Sequence, residues 1–401
     1  MVESSFGRYW VAATISSFGT AVTTVAMPVL VVQGLKASPL SVGVVNAAQF
    51  VPYAVLGLIA GVYADRWRRQ RILVWSSLGR AATIGALPVL WACGVLEVWT
   101  LVVLLLAFGA FSVFAFAATQ SLLPHLVVRS RLVKANAQLD QSDAAAQTLG
   151  PALGGGLVGL FGAPVAIAVD AVSYLVDALL SAGLRVDGAS ADSTVQRNLG
   201  REIGEGLRWT YRHRTLAPLA LSTHVWFVAN AAGFTVLAVL GLRHMGLSAF
   251  VFGLLVASSG IASLVGATAA ATVGRRLGTG PAIIATRAVY PIAWILVAAA
   301  PEVHAGVMLL SAALVMHGLA MGVENPNDTG YWQLVTPDRL LGRANSTRRS
   351  ANRSAGALGA VLGGMALTLF DERLTLLGVA AAFTASMAIV SLSPVRRVRV
   401  T

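Results

Sequence analysis

Residues 148–162 read TLGPALGGGLVGLFG, and residues 357–371 read ALGAVLGGMALTLFD. Aligned at an offset of 209 residues, the two stretches place Gly150 opposite Gly359 and share a double glycine and a phenylalanine near the end. Both are apolar and rich in small residues, as are helices that pack closely inside membranes. Self-similarity at about half the chain length indicates two related halves.

The composition places the chain in a membrane. Of its 401 residues, 56% are hydrophobic and 11% are charged, whereas soluble domains carry about 25% charged residues. The net charge of +12 comes from short basic clusters between apolar runs, which favours orientation in a bilayer over binding of nucleic acid. The single cysteine, Cys93, excludes an internal disulfide and a cysteine-rich metal site.

Apolar runs of spanning length recur along the chain. Because a bilayer core about 30 Å thick needs roughly 20 residues of helix, each run predicts one transmembrane helix. The predicted spans are 9–33, 39–64, 72–93, 98–120, 136–161, 163–184, 217–241, 248–272, 282–300, 304–326, 345–369 and 373–393. We therefore predict an all-α membrane protein with twelve transmembrane helices in two pseudo-symmetric six-helix halves.

The longest polar stretch separates these halves. Residues 185–216 combine a small polar segment with charges at helical spacing, which predicts a cytoplasmic linker that contains an amphipathic helix. The N-terminal half is then 1–184 and the C-terminal half is 217–401. Lysine and arginine concentrate in the connections on one side, so the positive-inside rule predicts a multi-pass protein of the cytoplasmic membrane with both termini in the cytoplasm.

The stretch GVYADRWRRQRIL, residues 61–73, resembles the signature loop between the second and third helices of the major facilitator superfamily, of form G-x-x-x-D-R-x-G-R-[RK]. Gly61, Asp65, Arg66 and Arg69 match that pattern, whereas Arg68 replaces its second glycine. The resemblance covers essentially the whole chain. It implies the major facilitator fold of twelve helices.

The glycine-proline stretch in the fifth span is similar to the element typical of antiporter branches. Its matching residues are Gly150, Pro151, Gly154 and Gly155. Close helix packing is the alternative interpretation of these glycines. Further motifs resemble the branch that includes macrolide-efflux proteins and the enterobactin exporter. The fourth span, 98–120, lacks the arginine found in many proton antiporters, so the best-known coupling route is missing.

The resemblance also implies a cytoplasmic gate. In it, Asp65 would hold the start of the eleventh helix, and Arg348 or Arg349 is the expected partner. The alternative is that these arginines are ordinary positive-inside anchors.

Charged side chains inside the spans are functional candidates because they are costly in lipid. The candidates for proton coupling are Asp140 and Asp143 in the fifth span, and Glu324 and Asp328 near Pro326, where we expect the tenth helix to break. Asp143 is the preferred carrier, while Asp140 could equally stabilise a helix start and Glu324 could form a salt bridge. Four other charged residues are expected to form structural pairs on peripheral helices: Arg80, Asp170, Asp177 and Arg287.

The superfamily lines its central cavity with the first, fourth, seventh and tenth helices. Hydroxyls, aromatic rings and histidines on these helices are the cavity candidates: Thr20, Thr24, Phe111, Phe114, His224, Trp226, Asn230 and His317. Such a lining suits a bulky, amphipathic, roughly neutral solute. Aromatic residues that serve only as core or interface belt are the alternative.

These observations favour a secondary active transporter that exports hydrophobic or amphipathic small molecules of the drug or antibiotic type, by alternating access and in exchange for protons. A specific exporter of an endogenous metabolite or siderophore and a lysolipid flippase are open alternatives. The sequence has no Walker loop, HExxH or G-x-S-x-G motif, so no enzyme is expected. The expected partners are a small hydrophobic substrate, protons and membrane lipids, for a monomer without cofactor, metal or nucleic acid.

Overall fold

The computed structural model describes residues 2–57, 60, 68–128, 131–184, 199–301 and 304–399. Within these ranges the chain forms helices joined by short turns, with no β-strand. In the N-terminal part the helices are α1 (Val2–Val29), α2 (Pro39–Ala48), α3 (Val51–Leu56), α4 (Arg69–Ala92), α5 (Val98–Leu126), α6 (Leu132–Phe161) and α7 (Ala163–Ala182). In the C-terminal part they are α8 (Leu199–Arg212), α9 (Leu216–Val239), α10 (Ala249–Leu277), α11 (Thr279–Ala298), α12 (His304–Val335), α13 (Asp338–Leu369) and α14 (Glu372–Ser391).

The helical membrane fold predicted from the sequence is confirmed. In the described part of the chain, 11 helical segments are long and apolar enough to cross a membrane, with α2 and α3 together forming the second. The predicted span outside these 11 is the eleventh in chain order, 345–369; it lies in α13, whose first half is polar and whose second half is the predicted glycine- and leucine-rich run. The arginines of α13 are Arg339, Arg343, Arg348, Arg349 and Arg353.

The tenth span corrects one expectation. Pro326 does not break the helix, because α12 continues through it to Val335. The Asn327 amide donates hydrogen bonds to the carbonyl oxygens of Val323, at 2.8 Å, and Ala270, at 3.1 Å, which ties this part of α12 to α10. Such neighbouring contacts explain why membrane helices tolerate an internal proline.

Two corresponding spans end in the same way. A π-helical turn, Leu30–Gly34, follows α1, and another, Leu240–His244, follows α9. In each, an N–H group just beyond the turn donates to the turn's first carbonyl at 2.8 Å. The internal repeat therefore extends to local backbone geometry, which the aligned glycine stretches alone did not reveal.

Packing divides the chain into two compact units. The first comprises Met1–Ala37, Ala48–Arg197 and Ser248–Leu254, and the second comprises Ser38–Ala47, Asn198–Leu247 and Leu255–Thr401. Relative to the halves proposed from sequence, the first residues of the second and eighth spans are exchanged. The linker residues 185–198 lie outside the described ranges.

In the first unit, two glycines of α6 allow the Ser248–Leu254 segment to pack closely against that helix. A methyl group built at Gly155 would lie 2.6 Å from the Ala249 carbonyl oxygen, and one at Gly154 would lie 2.7 Å from the Val22 carbonyl oxygen. Both neighbours are backbone atoms, which cannot rotate away as a side chain can. The two adjacent glycines thus let α6 approach α10 on one side and α1 on the other.

The second unit repeats this arrangement in α13. A methyl group at Gly363 would lie 2.8 Å from the Ala232 Cα, and one at Gly364 would lie 3.1 Å from the Gly43 Cα. These glycines therefore bring α13 against α9 and against the Ser38–Ala47 segment. Close packing thus accounts for the paired glycines Gly154 and Gly155 in one copy and Gly363 and Gly364 in the other.

The amphipathic helix α8 is fixed to the second unit by charge and by close approach. Arg343 of α13 forms ion pairs with Glu202, at 3.2 Å, and with Glu205. The Trp209 indole N–H donates to the Thr336 hydroxyl at 3.3 Å. Charged residues that the sequence assigns to a linker surface therefore hold α8 against the ends of two spanning helices.

Gly206→Leu is expected to release α8 from this surface. A Cβ at Gly206 would lie 2.8 Å from the Thr347 hydroxyl and 2.9 Å from the Arg343 carbonyl oxygen, so a leucine cannot be accommodated without displacing the helix. Hydrogen exchange should therefore become faster in Leu199–Arg212. Gly204→Leu is the matched control, because a Cβ there has open space around it. Equal exchange in the two variants would contradict this docking.

Candidate functional site

An aromatic cluster fills the second unit around His317. His317 lies in α12 and is 2% exposed. Rings from three other helices pack against it: Trp226 and Phe234 of α9, Tyr290 and Trp294 of α11, and Phe383 of α14. The Tyr290 ring is nearest, with 4.8 Å between centroids, and the Trp294 indole N–H donates to His317 Nδ1 at 3.3 Å.

This cluster brings together several cavity candidates from the sequence. Trp226 and His317 have ring centroids 6.0 Å apart, and Asn230 lies one turn after Trp226 on α9. The Asn230 Oδ1 atom is buried and has no hydrogen-bond partner among the described residues. A buried acceptor left unpaired costs about 1–3 kcal/mol, so this oxygen is suited to accept a hydrogen bond from a bound molecule.

His224, another cavity candidate, is engaged by protein groups on both ring nitrogens. Its Nδ1 lies 2.7 Å from Asn352 Oδ1, and its Nε2 lies 2.8 Å from the Tyr211 hydroxyl. Because the amide oxygen can only accept, Nδ1 must carry the proton and the tyrosine donates to Nε2 when the ring is neutral. Burial raises the pKa of Tyr211, which keeps that donor protonated. His224 therefore links α8, α9 and α13.

Glu324 is held by a buried charge network. Arg287, only 1% exposed, contacts the Glu324 Oε1 atom through Nε at 2.8 Å and through Nη2 at 2.6 Å. The Tyr290 hydroxyl donates to Glu324 Oε2 at 2.9 Å. Arg287 also donates to three hydroxyls, those of Ser222, Thr223 and Ser386. Each guanidinium nitrogen thus has an acceptor, as a buried charge requires.

Asp328 and Arg348 form a second pair one turn along α12. Their Oδ2 and Nη1 atoms are 3.0 Å apart, and the Arg348 guanidinium lies 5.0 Å from the Trp332 ring centroid. Arg349 follows Arg348 on α13 and is half-buried. The other gate residues, Gly61, Asp65 and Arg66, fall outside the described ranges. The proposed Asp65 contact therefore stays a prediction.

Arg69, which matches the signature-loop pattern, lies at the start of α4 and contacts His125 near the end of α5. Its Nη1 atom is 2.8 Å from His125 Nε2. Because arginine can only donate, this histidine nitrogen acts as the acceptor and the ring is neutral. Burial, followed by the positive charge of Arg69, lowers the pKa of His125. The loop arginine thereby joins two neighbouring helices of the first unit.

The two acids of α6 are exposed. The Asp143 carboxylate accepts a hydrogen bond from the Gln147 amide at 2.7 Å, and Asp140 lies on the same helix one turn earlier. Within the ranges given above, neither acid forms an ion pair. Asp143 thus differs from Glu324 and Asp328, whose carboxylates are held by arginines.

The structural charge pair expected for Asp170 in α7 does not form among the described residues. Asp177 pairs with Arg80 at 3.1 Å, as expected for a peripheral helix, but Asp170 is 1% exposed and has no ion pair in the described part of the chain. It accepts hydrogen bonds from the hydroxyls of Thr23, at 2.6 Å, and Ser173, at 3.3 Å. The sequence contained one sign of this: the spans of the N-terminal half hold the two acids Asp170 and Asp177 but only Arg80 to pair with them.

The remaining four cavity candidates lie in the first unit, and three of them contact neighbouring helices. The Thr20 hydroxyl is 2.7 Å from the Tyr174 hydroxyl, and the Thr24 hydroxyl donates to its own helix, to the Ala21 carbonyl. The Phe111 ring packs directly over Gly79 of α4, and Phe114 packs against a buried apolar cluster. Thr20 thus connects α1 to α7 and Phe111 packs α5 on α4, while Thr24 bonds within α1 and Phe114 packs on the apolar cluster.

Spanning helices, an internal repeat and buried charge pairs within the bundle define a transporter of the major facilitator type. A family model described as "transmembrane secretion effector" matches residues 1–400, and the chain belongs to this family of the superfamily.

Related proteins agree with this assignment. The chain is 27% identical over 362 residues to the multidrug efflux pump Tap of Mycolicibacterium fortuitum, covering 88% of this chain and 87% of Tap. It is also 27% identical over 359 residues to the uncharacterized transporter YfiS of Bacillus subtilis, covering 88% and 84% of the two chains.

Solved structures show the same fold. The nucleoside transporter NupG superposes with a TM-score of 0.75 at 13% identity, covering 97% of this chain and 98% of NupG. A bacterial homologue of the iron transporter ferroportin superposes with a TM-score of 0.73 at 17% identity, covering 98% and 99%.

Proposed function

We propose that the chain exports hydrophobic or amphipathic small molecules by alternating access, in exchange for protons. The observation that carries this proposal lies on α9, where the half-buried Trp226 ring packs on His317 and, one turn later, the Asn230 Oδ1 atom has no hydrogen-bond partner among the described residues. Aromatic surfaces bind apolar ring systems with little directional demand, while one polar group orients the ligand. The relatedness to an efflux pump supports the same class of substrate.

Export is the proposed direction because the glycine-proline element of the fifth span resembles that of antiporter branches. The arginine-rich connections support a topology with both termini on the cytoplasmic side of the cytoplasmic membrane. A substrate that partitions into that membrane could reach the protein from the inner leaflet and be released outside. Export of this kind gives resistance to antibiotics, and macrolides are the first compounds to test.

Asp143 is the acid best suited to carry the proton. A carrier must exchange protons with water and lose its charge without leaving a buried cation unpaired. Glu324 and Asp328 neutralise Arg287 and Arg348, so protonating either one would leave its arginine uncompensated. Asp143 is exposed and bonded to the neutral Gln147 amide, so its protonation breaks no ion pair in the described structure.

Asp143→Asn is expected to abolish proton-driven efflux. Cells that express the wild type should lose ethidium and accumulate less of a macrolide, and a protonophore should stop this loss. The variant should behave like protonophore-treated wild type, because an asparagine keeps the size and hydrogen bonding of the side chain but cannot take up a proton. Efflux is measured from the fluorescence of preloaded cells at matched expression.

Asp140→Asn is the matched control, because Asp140 is an exposed acid one turn away on the same helix. It should retain efflux. If Asp143→Asn also retains protonophore-sensitive efflux, Asp143 is not the carrier. If wild-type cells move neither the dye nor the macrolide, the export proposal itself is wrong.

A further inference from the structure

A groove on the first unit combines apolar rings with two arginines. Its volume is about 660 Å³, and it lies between α4 and α5. The rings of Trp75, Phe111 and Phe114 line most of it, and Arg68 and Arg71 lie at one end. Trp75 is 69% exposed, so much of its apolar surface is left without a protein neighbour.

The sequence of α4 creates this arrangement. Arg68 is the residue before α4, and Arg71 and Trp75 lie four residues apart on one face of that helix. With a rise of 1.5 Å per residue, the Arg71 Cα lies about 6 Å along the axis from the Trp75 Cα, and Arg68 lies beyond Arg71 at the helix start. Gly79, a further turn along, leaves room for the Phe111 ring to pack on α4 and form the floor.

A phospholipid matches both ends of this groove. Its phosphate can accept hydrogen bonds from two guanidinium groups, which bind phosphate oxygens with favourable geometry. Its acyl chain can pack along the Trp75 ring, which is 69% exposed, and the neighbouring Phe111 ring. In the ranges that the structure covers, neither Arg68 nor Arg71 forms an ion pair, so both guanidinium charges remain available to an anion.

We propose that this groove binds one anionic phospholipid, with its phosphate on Arg68 and Arg71 and an acyl chain along Trp75 and Phe111. In an anionic lipid such as phosphatidylglycerol the phosphate charge is not compensated, whereas the ammonium group of a zwitterionic headgroup offsets that charge and repels the two arginines. By the positive-inside rule, the arginine end of α4 faces the cytoplasmic leaflet. The site is independent of drug export and of Asp143.

Native mass spectrometry of the full-length protein in detergent tests the proposal. Phosphatidylglycerol should remain bound at detergent and salt conditions that remove phosphatidylcholine with the same acyl chains. In the variant Arg68→Gln/Arg71→Gln, the apparent affinity for phosphatidylglycerol should fall by about fivefold for each arginine removed. Higher ionic strength should weaken wild-type binding and have less effect on the variant.

Two matched controls separate this groove from general effects. Arg396→Gln/Arg397→Gln removes two exposed arginines elsewhere and should leave binding unchanged. Trp75→Ala should reduce retention of the lipid, whereas Trp99→Ala, at a tryptophan that is 71% exposed, should not. Comparing Trp75→Ala with Trp99→Ala still tests the groove if Arg68→Gln/Arg71→Gln folds poorly.

Three outcomes would overturn the proposal. Wild-type protein could retain both lipids equally, the two double-arginine variants could lose binding equally, or the two tryptophan variants could behave alike. Displacement of the lipid by an anionic amphiphilic dye that the cells also export would identify the groove as a substrate site instead.

Discussion

Glu324→Gln is expected to lower the free energy of unfolding by about 3–5 kcal/mol, because it leaves the Arg287 guanidinium buried without a counter-charge. Arg287 is 1% exposed and reaches Glu324 through two nitrogens. Neutral hydroxyls around it can accept hydrogen bonds but cannot balance its charge. Equilibrium denaturation of the purified protein in detergent, followed by the loss of helical circular dichroism, measures the change.

Glu202→Gln is the matched control for this substitution. Glu202 pairs with Arg343 where both side chains are partly exposed, and such pairs contribute about 0–1 kcal/mol. Removing both buried partners in Arg287→Met/Glu324→Leu should recover most of the stability, since no charge is left uncompensated. A double variant as unstable as Glu324→Gln would assign the loss to packing instead.

Gly155→Ala is expected to destabilise the protein by about 1–3 kcal/mol, although alanine is the better helix former. The added methyl group would lie 2.6 Å from the Ala249 carbonyl oxygen and 3.0 Å from the Phe250 Cα. Both are backbone atoms, so α6 and α10 must move apart. The midpoint of thermal denaturation in detergent should fall, and it should fall further for Gly155→Val.

Gly159→Ala, one turn later in α6, is the control. A Cβ there meets nothing within 4 Å, so this variant should be as stable as the wild type or gain up to about 1 kcal/mol. If both alanine variants were equally stable, close approach at Gly155 would not explain its glycine.

The sequence predicted the helical architecture well because lipid imposes long apolar runs and a duplicated chain repeats its pattern. It could not assign the three glycines at 154–156. Gly154 faces α1, Gly155 faces α10, and Gly156 has its nearest neighbour atom at 4.0 Å, a difference set by which helices cross there. Periodicity shows that small residues are present but not what lies against each one.

The candidate site was predictable only as residue types on helices. Arg287 and Glu324 were both identified as intramembrane charges, but their pairing depends on how α11 packs on α12. Pro326 predicted a helix end, but the helix continues. The sequence does not show that the Asn327 amide bonds to the neighbouring helix α10. Asp170 was grouped with the paired acids, yet the nearest arginine, Arg80, is paired with Asp177.

The exchanged segments have a consequence for biosynthesis. Ser38–Ala47 belongs to the second compact unit, although it leaves the ribosome well before the rest of that unit. Its packing partners around Ala360 and Gly364 are synthesised more than 300 residues later. The start of the second spanning helix therefore lacks these neighbours until the chain is almost complete. Quality control acting on the nascent chain meets an unfinished first half throughout that interval.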